Sequence, residues 1–361
     1  MDFTFDEEQR LAAQSLRDLL TDHCQGSDLR RAADARDLPS FETACATRRA
    51  RLAELGLTGA LVPAEQGGLG LGVVDFVLLA EEAGRAALPE PLIDVEGVAH
   101  PLLAALVWAA PGELGDRTLQ ETLVGSALVL SAAPAPGAAP VRSAAPGTTM
   151  LANAAFAQYF LLGRSDDELA LYRASDISLT HRESVDPLRR LSEIALTETK
   201  PIALVTGSAA ASAWQAARAR STVLNAAQLL GLGSRMLEIA VAYSLERKQF
   251  GKAIGSNQAV KHSLADVMVK LEFARPVVYA AAATLAPVRV AHAAVAAADA
   301  ADRAARAAIQ VHGAMGYSWE VDLQFYAKRA WALAGLNGGR SAQFLALHQS
   351  LLRGELEAQW A

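Results

Sequence analysis

Only two cysteines, Cys24 and Cys45, occur in 361 residues. Two thiols cannot build a disulfide framework or a cysteine zinc site, so they read as reduced side chains of a cytosolic protein. Aromatic residues are scarce, at 6%. Positive charge is not in surplus either. Thirty-three Lys and Arg against 39 Asp and Glu leave a net charge of -6, without the basic balance of a nucleic-acid binder. Long uninterrupted apolar runs are missing as well; 203–217, for example, is broken by Ser, Gln and Trp and is too weakly hydrophobic to span a bilayer. The opening MDFTFDEEQR is acidic and polar, unlike a secretory signal peptide. These absences predict a cytoplasmic protein with neither nucleic acid nor membrane as partner.

What is present is apolar and rich in alanine. Hydrophobic residues make up 52% of the chain and charged residues 20%, enough to bury a core and to exclude wholesale disorder. At roughly 150 residues per domain, the length predicts two or three domains or one large composite. Alanine crowds 203–308, and it lets helices form and approach closely at no cost in side-chain entropy.

Three regions differ in texture. Residues 1–119 read as an N-terminal helical domain: Leu11, Leu16, Leu19 and Leu20 are spaced for one buried face, and Phe41–Leu55 runs to a C-capping Gly56. The glycine-rich loop Pro63–Gly72 precedes a helix over Val73–Ala87. It lacks both the lysine of a phosphate-binding P-loop and a preceding βαβ strand, so a plain turn is expected there. Residues 120–199 read as a reduced central β-domain, with strand-prone pieces at 127–131, 159–162, 169–172 and 194–196 and a Pro/Gly-rich segment at Ala133–Pro146. Residues 200–361 read as a C-terminal bundle of four or five antiparallel helices. Its helices are expected over Ile202–Arg247, Asn257–Leu285, Val288–Val311 and Asp322–Leu333, with a last one near Ser341–Leu352. The fold class is therefore α+β, mostly α.

Motifs in the bundle are specific. Leu245-Glu-Arg-Lys-Gln-Phe-Gly251, then Ile254-Gly-Ser-Asn-Gln-Ala259, and later Gln310-Val-His-Gly-Ala-Met-Gly-Tyr-Ser-Trp-Glu320, resemble the signatures of the acyl-CoA dehydrogenase family. Leu52-Ala-Glu-Leu-Gly-Leu57 with the Pro63–Gly72 loop is similar to that family's N-terminal domain, and the likeness runs from about residue 3 to residue 350. The resemblance implies a helical domain, a β-domain and a four-helix bundle, with FAD as cofactor and an acyl-CoA thioester as substrate, oxidised to the trans-2-enoyl form. By the same resemblance, Arg247, Phe250, Gln258, Gln310, Gly313 and Ala314 hold the ADP part of FAD across a subunit interface. The residue types suit that role. Arg247 offers a guanidinium fork to a diphosphate, Phe250 an apolar face and Gln258 a donor or acceptor, while Gly313 and Ala314 let backbone approach a ligand. His312, in the same loop, reads as structural.

The chain also departs from the family. The family's reaction needs a carboxylate to remove an α-proton, and the usual base position falls here on Asn337. The alternative position, on the long preceding helix, falls on Ser221. No Asp or Glu occurs in 200–237 or in 323–354, so a shift of register restores neither base. Loss of a positioned base typically costs ~10²–10⁴ in rate. The family's Thr-Glu…Gly-Ser-Asp and Trp-Ile-Thr stretches, which hold the flavin ring, are also missing. Leu130–Gly137 reads otherwise, and no tryptophan lies between Trp108 and Trp214.

Three readings follow. In the first, the chain is the base-lacking subunit of a heteromeric acyl-CoA dehydrogenase, giving FAD contacts to a related catalytic subunit and passing electrons to an acceptor flavoprotein. In the second, it is a self-sufficient homo-oligomer with a relocated base, Glu238 or Glu320 being the nearest carboxylates. In the third, it is a flavin-free scaffold of the same fold.

Overall fold

The structure is a computed structural model that describes residues 4–35, 37–132, 149–196 and 200–354. The expected Pro/Gly-rich segment at Ala133–Pro146 lies outside the described residues. In chain order the helices are α1 (Glu7–His23), α2 (Gly26–Asp34), α3 (Leu38–Glu54), α4 (Val73–Arg85), α5 (Leu92–Asp94), α6 (His100–Ala109) and α7 (Glu113–Leu123). Strands β1 (Val129–Ala132), β2 (Thr149–Ala152), β3 (Tyr159–Leu162), β4 (Glu168–Arg173), β5 (Ile177–Arg182), β6 (Leu191–Leu196) and β7 (Ala203–Thr206) follow. Then come α8 (Ser208–Glu246), the short strands β8 (Lys248–Gln249) and β9 (Lys252–Ala253), α9 (Gln258–Thr284), α10 (Pro287–His312), α11 (Leu323–Ala334) and α12 (Gly339–Leu352).

Local chemistry explains several of these boundaries. Asp6 caps α1 by accepting from the Gln9 N–H at 2.8 Å, while the Gln9 side chain accepts from the Asp6 N–H at 2.9 Å, a reciprocal capping box. Pro287 opens α10, where its missing N–H has no helical partner to lose. The Pro63–Gly72 loop is a packed turn. A Cβ on Gly68 would stand 2.2 Å from the Val62 carbonyl oxygen, so the glycine there serves close packing.

The chain divides into two compact units. One comprises residues 31–76 and 89–221. In it β1, β3, β4 and β7 form a four-stranded sheet and β2, β6 and β5 a three-stranded one. Strand alternation sorts the core into two layers. Val129, Leu161, Leu169, Leu171 and Val205 point to one side, packing with Leu102, Leu103 and Leu106 of α6 and with Trp214. Leu130, Phe160, Leu162, Ala170 and Tyr172 point to the other, where Ile177 and Ile194 of the second sheet meet them. To the strand-prone pieces expected in this small β-block, β2, β5 and β7 add strands the pattern did not reveal. Residues 203–206, expected as helix, pair with β4, and the helix begins at Ser208. The stretch Leu92–Ala109 is long and apolar enough to cross a membrane, yet 67% of it is buried within the fold, as a core helix.

The other unit comprises residues 1–30, 77–88 and 222–361. Here α9 and α10 pack along each other, with α11 and α12 against α10. Alanines at 293, 297, 300, 301, 304, 305, 307 and 308 form the buried stripe of α10. The end of α4 crosses α8 at paired glycines. A Cβ on Gly84 would lie 2.1 Å from the Gln228 carbonyl oxygen, and one on Gly231 would lie 1.9 Å from that of Glu81. Beside this crossing the Glu81 carboxylate accepts from Arg275 Nε at 3.0 Å and from the Tyr279 hydroxyl at 2.8 Å. Burial and that carboxylate push the Tyr279 phenol well above its ordinary range.

Candidate functional site

The bundle motifs meet at one end of the second unit described. After α8 the chain turns back through β8 and β9, and the Ile254 N–H donates to the Arg247 carbonyl at 2.9 Å, closing the loop. The loop lies tight on the helix: a Cβ on Gly255 would stand 2.9 Å from the Ser244 carbonyl oxygen. Gln258 is then the first residue of α9, after the N-cap Asn257. The other motif ends α10. Its position is set by Tyr243, whose ring stacks on His312 with centroids 4.1 Å apart. The Arg247 N–H donates to the Tyr243 carbonyl at 2.9 Å, so one aromatic contact joins the two motifs. His312 is buried, and its Nδ1 bonds the Ala308 carbonyl at 2.7 Å, in keeping with the structural role expected of it. The motif spacing carried no sign of Tyr243.

Phe250 and Gly251 form the turn of this hairpin with φ of 52° and 79°. Two successive positive φ values define a turn that usually takes Asn-Gly. A phenylalanine in that left-handed conformation is strained, and this one is also 98% exposed. The chain therefore tolerates both local strain and an apolar ring in water at this point. Gln258, Gln310, Gly313 and Ala314 are likewise exposed, with Gly313 at φ 60°. The start of α9 presents N–H groups without intrahelical partners, which favour an anion. A guanidinium, an exposed aromatic ring, a carboxamide and a helix start fit the diphosphate and ring system of a dinucleotide.

The position matched to the usual base is different. Asn337 sits in the short turn between α11 and α12 with φ 52°, and its carbonyl accepts from Gln343 Nε2 at 2.8 Å. It lines a cleft with Thr222, Asn225, Leu229, Ala298 and Arg340, and no carboxylate belongs to that lining among the described residues. The cleft holds about 20 Å³, near the room of a single water. Ser221 lies on α8, and its neighbour Arg220, which the sequence pattern did not single out, is desolvated. Burial pulls its guanidinium down to about 10, and its Nε has no partner among the described residues.

Of the carboxylates nearest by sequence, Glu238 is committed elsewhere. Arg85 holds both its oxygens, with Nη2 to Oε2 at 2.7 Å, and Arg235 Nη1 reaches Oε2 at 3.3 Å. Glu320 is exposed, and its carbonyl accepts from Arg30 at 2.6 Å.

Comparison with known proteins agrees with this architecture. Residues 6–106 match the acyl-CoA dehydrogenase N-terminal domain, and residues 211–352 match its C-terminal domain. The chain is 30% identical over 330 residues to the acyl-CoA dehydrogenase IpdE2 of Mycobacterium tuberculosis, covering 91% of this chain and 93% of that one. Among solved structures, a chain of the ChsE4-ChsE5 complex from Mycobacterium tuberculosis superposes with a TM-score of 0.82 at 23% identity, over 98% of this chain and 99% of that one. A chain of the Tcur3481-Tcur3483 steroid ACAD, in its G363A variant, superposes with a TM-score of 0.76 at 25% identity, over 97% and 99%. A chain with a helical domain, a small sheet region and a helical C-terminal region that match these proteins has the build of a flavin-dependent oxidoreductase. The chain belongs to the acyl-CoA dehydrogenase family, whose cofactor is FAD.

Proposed function

We propose that this chain is the base-lacking subunit of a hetero-oligomeric acyl-CoA dehydrogenase and lends FAD-binding groups to a related catalytic subunit across their interface. The single observation that carries this reading is the cleft around Asn337, whose lining holds no carboxylate among the described residues, where the resemblance expects the usual base. An amide has no proton-accepting carboxylate chemistry at neutral pH, so the α-proton of the acyl-CoA goes to a base on the partner. When bound, FAD supplies the hydride acceptor of the α,β-dehydrogenation, and an acceptor flavoprotein reoxidises it.

This chain's own residues bind and orient. With FAD bound, Arg247 would pair with the diphosphate of its ADP part, Phe250 would offer an apolar face beside it, and Gln258 and Gln310 would supply hydrogen-bonding groups. Gly313 and Ala314 allow close backbone approach. The strain and exposure at Phe250 support a role that only a second subunit or a cofactor completes. The heteromeric assemblies named for the structural neighbours, one of them a steroid ACAD, support a bulky acyl-CoA as substrate.

The test is to purify the chain alone and together with a related dehydrogenase subunit encoded beside it. The expected result is a colourless chain alone and a yellow, active complex. Arg247→Ala should strip flavin from the complex while leaving the subunits associated. An unchanged FAD content in that variant refutes the assigned role, and turnover by the chain alone refutes the proposed division of labour.

A further inference from the structure

In the unit containing the two larger sheets, a cavity of about 340 Å³ lies against α3, the helical turn at Val95–Ala99 and the β2–β3 connection. It has room for about eleven waters at ~30 Å³ each, within the range of small-ligand pockets. Phe41, Leu52, Leu57, Val95 and Phe156 give it apolar walls, and the rings of Phe41 and Phe156 stack at 5.6 Å. None of the residues assigned to FAD lines it.

The backbone beside it is irregular. Val95–Ala99 forms a π-helical turn between α5 and α6, a feature that is rare and concentrated at functional sites. This segment carries Glu96 and leads into His100, both lining the cavity and only 7% and 2% exposed. Glu96 Oε2 accepts from the Gly59 N–H at 2.8 Å and bonds His100 Nδ1 at 2.9 Å. With Nδ1 facing that carboxylate oxygen, the Nδ1–H tautomer leaves a lone pair on Nε2. His100 Nε2 is buried with no partner among the described residues.

Asn153, also in the cavity wall, repeats the pattern. Its Nδ2 donates to the Pro89 carbonyl at 3.3 Å, which fixes the amide's orientation and leaves Oδ1 buried and unpartnered among the described residues. The two buried polar atoms left over here, His100 Nε2 in that tautomer and Asn153 Oδ1, accept hydrogen bonds, and unpaired buried acceptors cost free energy, while the exposed Arg49 is a donor at the cavity wall. A ligand that satisfies them must donate. A carboxylate or phosphate would meet Glu96 as a like charge.

We propose that this cavity binds an apolar alcohol or phenol, whose hydroxyl donates to the Glu96–His100 pair while its hydrocarbon body fills the space between Phe41, Leu52 and Phe156. This site is independent of the FAD reading, and its failure would leave that reading untouched.

The experiment is calorimetric titration of the full chain with 4-ethylphenol, ethylbenzene and 4-ethylbenzoate. The expected result is saturable one-to-one binding of 4-ethylphenol, at least tenfold weaker binding of ethylbenzene, and no binding of 4-ethylbenzoate. Ala53 is exposed and lines the cavity, so Ala53→Trp should abolish 4-ethylphenol binding with an unchanged circular dichroism melt. Glu96→Gln should weaken binding by roughly tenfold or more, the range for a hydrogen bond to a charged group. Should that variant fail to fold, the three-ligand comparison and Ala53→Trp decide alone. Equal affinity for ethylbenzene overturns hydroxyl recognition. Absence of saturable binding, or binding unaffected by Ala53→Trp, overturns the site.

Discussion

Arg48 and Glu90 form an ion pair whose side chains are 2% and 5% exposed. Arg48 Nε donates to both Glu90 oxygens, at 3.1 and 3.2 Å, and Nη2 approaches Oε1 at 3.1 Å. The pair ties α3 to the segment ahead of α5, 42 residues apart in the chain. Taking two charges out of water is costly, and their attraction offsets that cost only while both remain. Arg48→Ala would leave the Glu90 carboxylate buried and uncompensated, at about 3–5 kcal/mol. At 1.4 kcal/mol per decade, this is roughly a hundred- to several-thousandfold in the unfolding constant. The double variant Arg48→Met with Glu90→Leu removes both charges, keeps the volume apolar and should lie within ~1 kcal/mol of the parent or above it. The assay is urea denaturation at pH 7, comparing midpoints at constant slope for the parent, both single variants and the double variant. A loss below ~1 kcal/mol in Arg48→Ala, or a double variant as unstable as the two single changes added, refutes the reasoning.

Other perturbations test neighbouring features. Gly84→Ala and Gly231→Ala should each destabilise by about 1–3 kcal/mol or more, because the added methyl meets a backbone carbonyl. Gly112→Ala, with nothing within 4 Å, should cost only the N-cap preference of glycine over alanine at the start of α7, about 0.5–1 kcal/mol, in the same urea titrations. Burial first, and the nearby Glu90 charge second, push the Cys45 thiol up from 9.0 to about 12. Between those values the unfolded thiol ionises while the folded one stays protonated, so this group's contribution to stability falls as pH rises from 9 to 12. Native protein held at pH 8.5 with iodoacetamide should therefore show no alkylation of Cys45 by mass spectrometry; rapid stoichiometric labelling would contradict this. Phe250→Asn should relieve the left-handed strain and stabilise the chain by about 1 kcal/mol, while lowering flavin retention in the assembled complex. A rise in stability with flavin content unchanged would detach the strain from cofactor binding.

The candidate site was proposed before any coordinates. The absence of acid there is a property of composition: with no Asp or Glu in 323–354, no local rearrangement of the α11–α12 turn can supply a carboxylate. The candidate cofactor residues were also legible, because Arg247, Phe250 and Gln258 lie within one short stretch whose hairpin closes locally. Less visible was how that stretch comes to lie beside Gln310–Ala314. The link is the Tyr243–His312 stack, a contact between residues far apart in sequence.

Helix starts and stops were determined locally, since caps such as the Asp6–Gln9 box and the opening Pro287 act within one turn of chain. Strands β2, β5 and β7 were not, because a strand's hydrogen bonds go to partners distant in sequence. Thr149–Ala152 becomes a strand only by pairing with Leu191–Ile194, and Ala203–Thr206 only by pairing with Glu168–Leu171. The buried polar groups follow the same rule. Glu96 is an ordinary surface charge in the sequence. Only tertiary structure buries it and sets it against Gly59, 37 residues away, while His100, four residues on, is a local partner. Local hydrogen bonding and side-chain type let the sequence by itself determine most of the helices, the family motifs and the acid-free stretch around Asn337. Pairing across long separations left the sheets, the junction of the cofactor motifs and the Glu96–His100 cavity for the tertiary structure to decide.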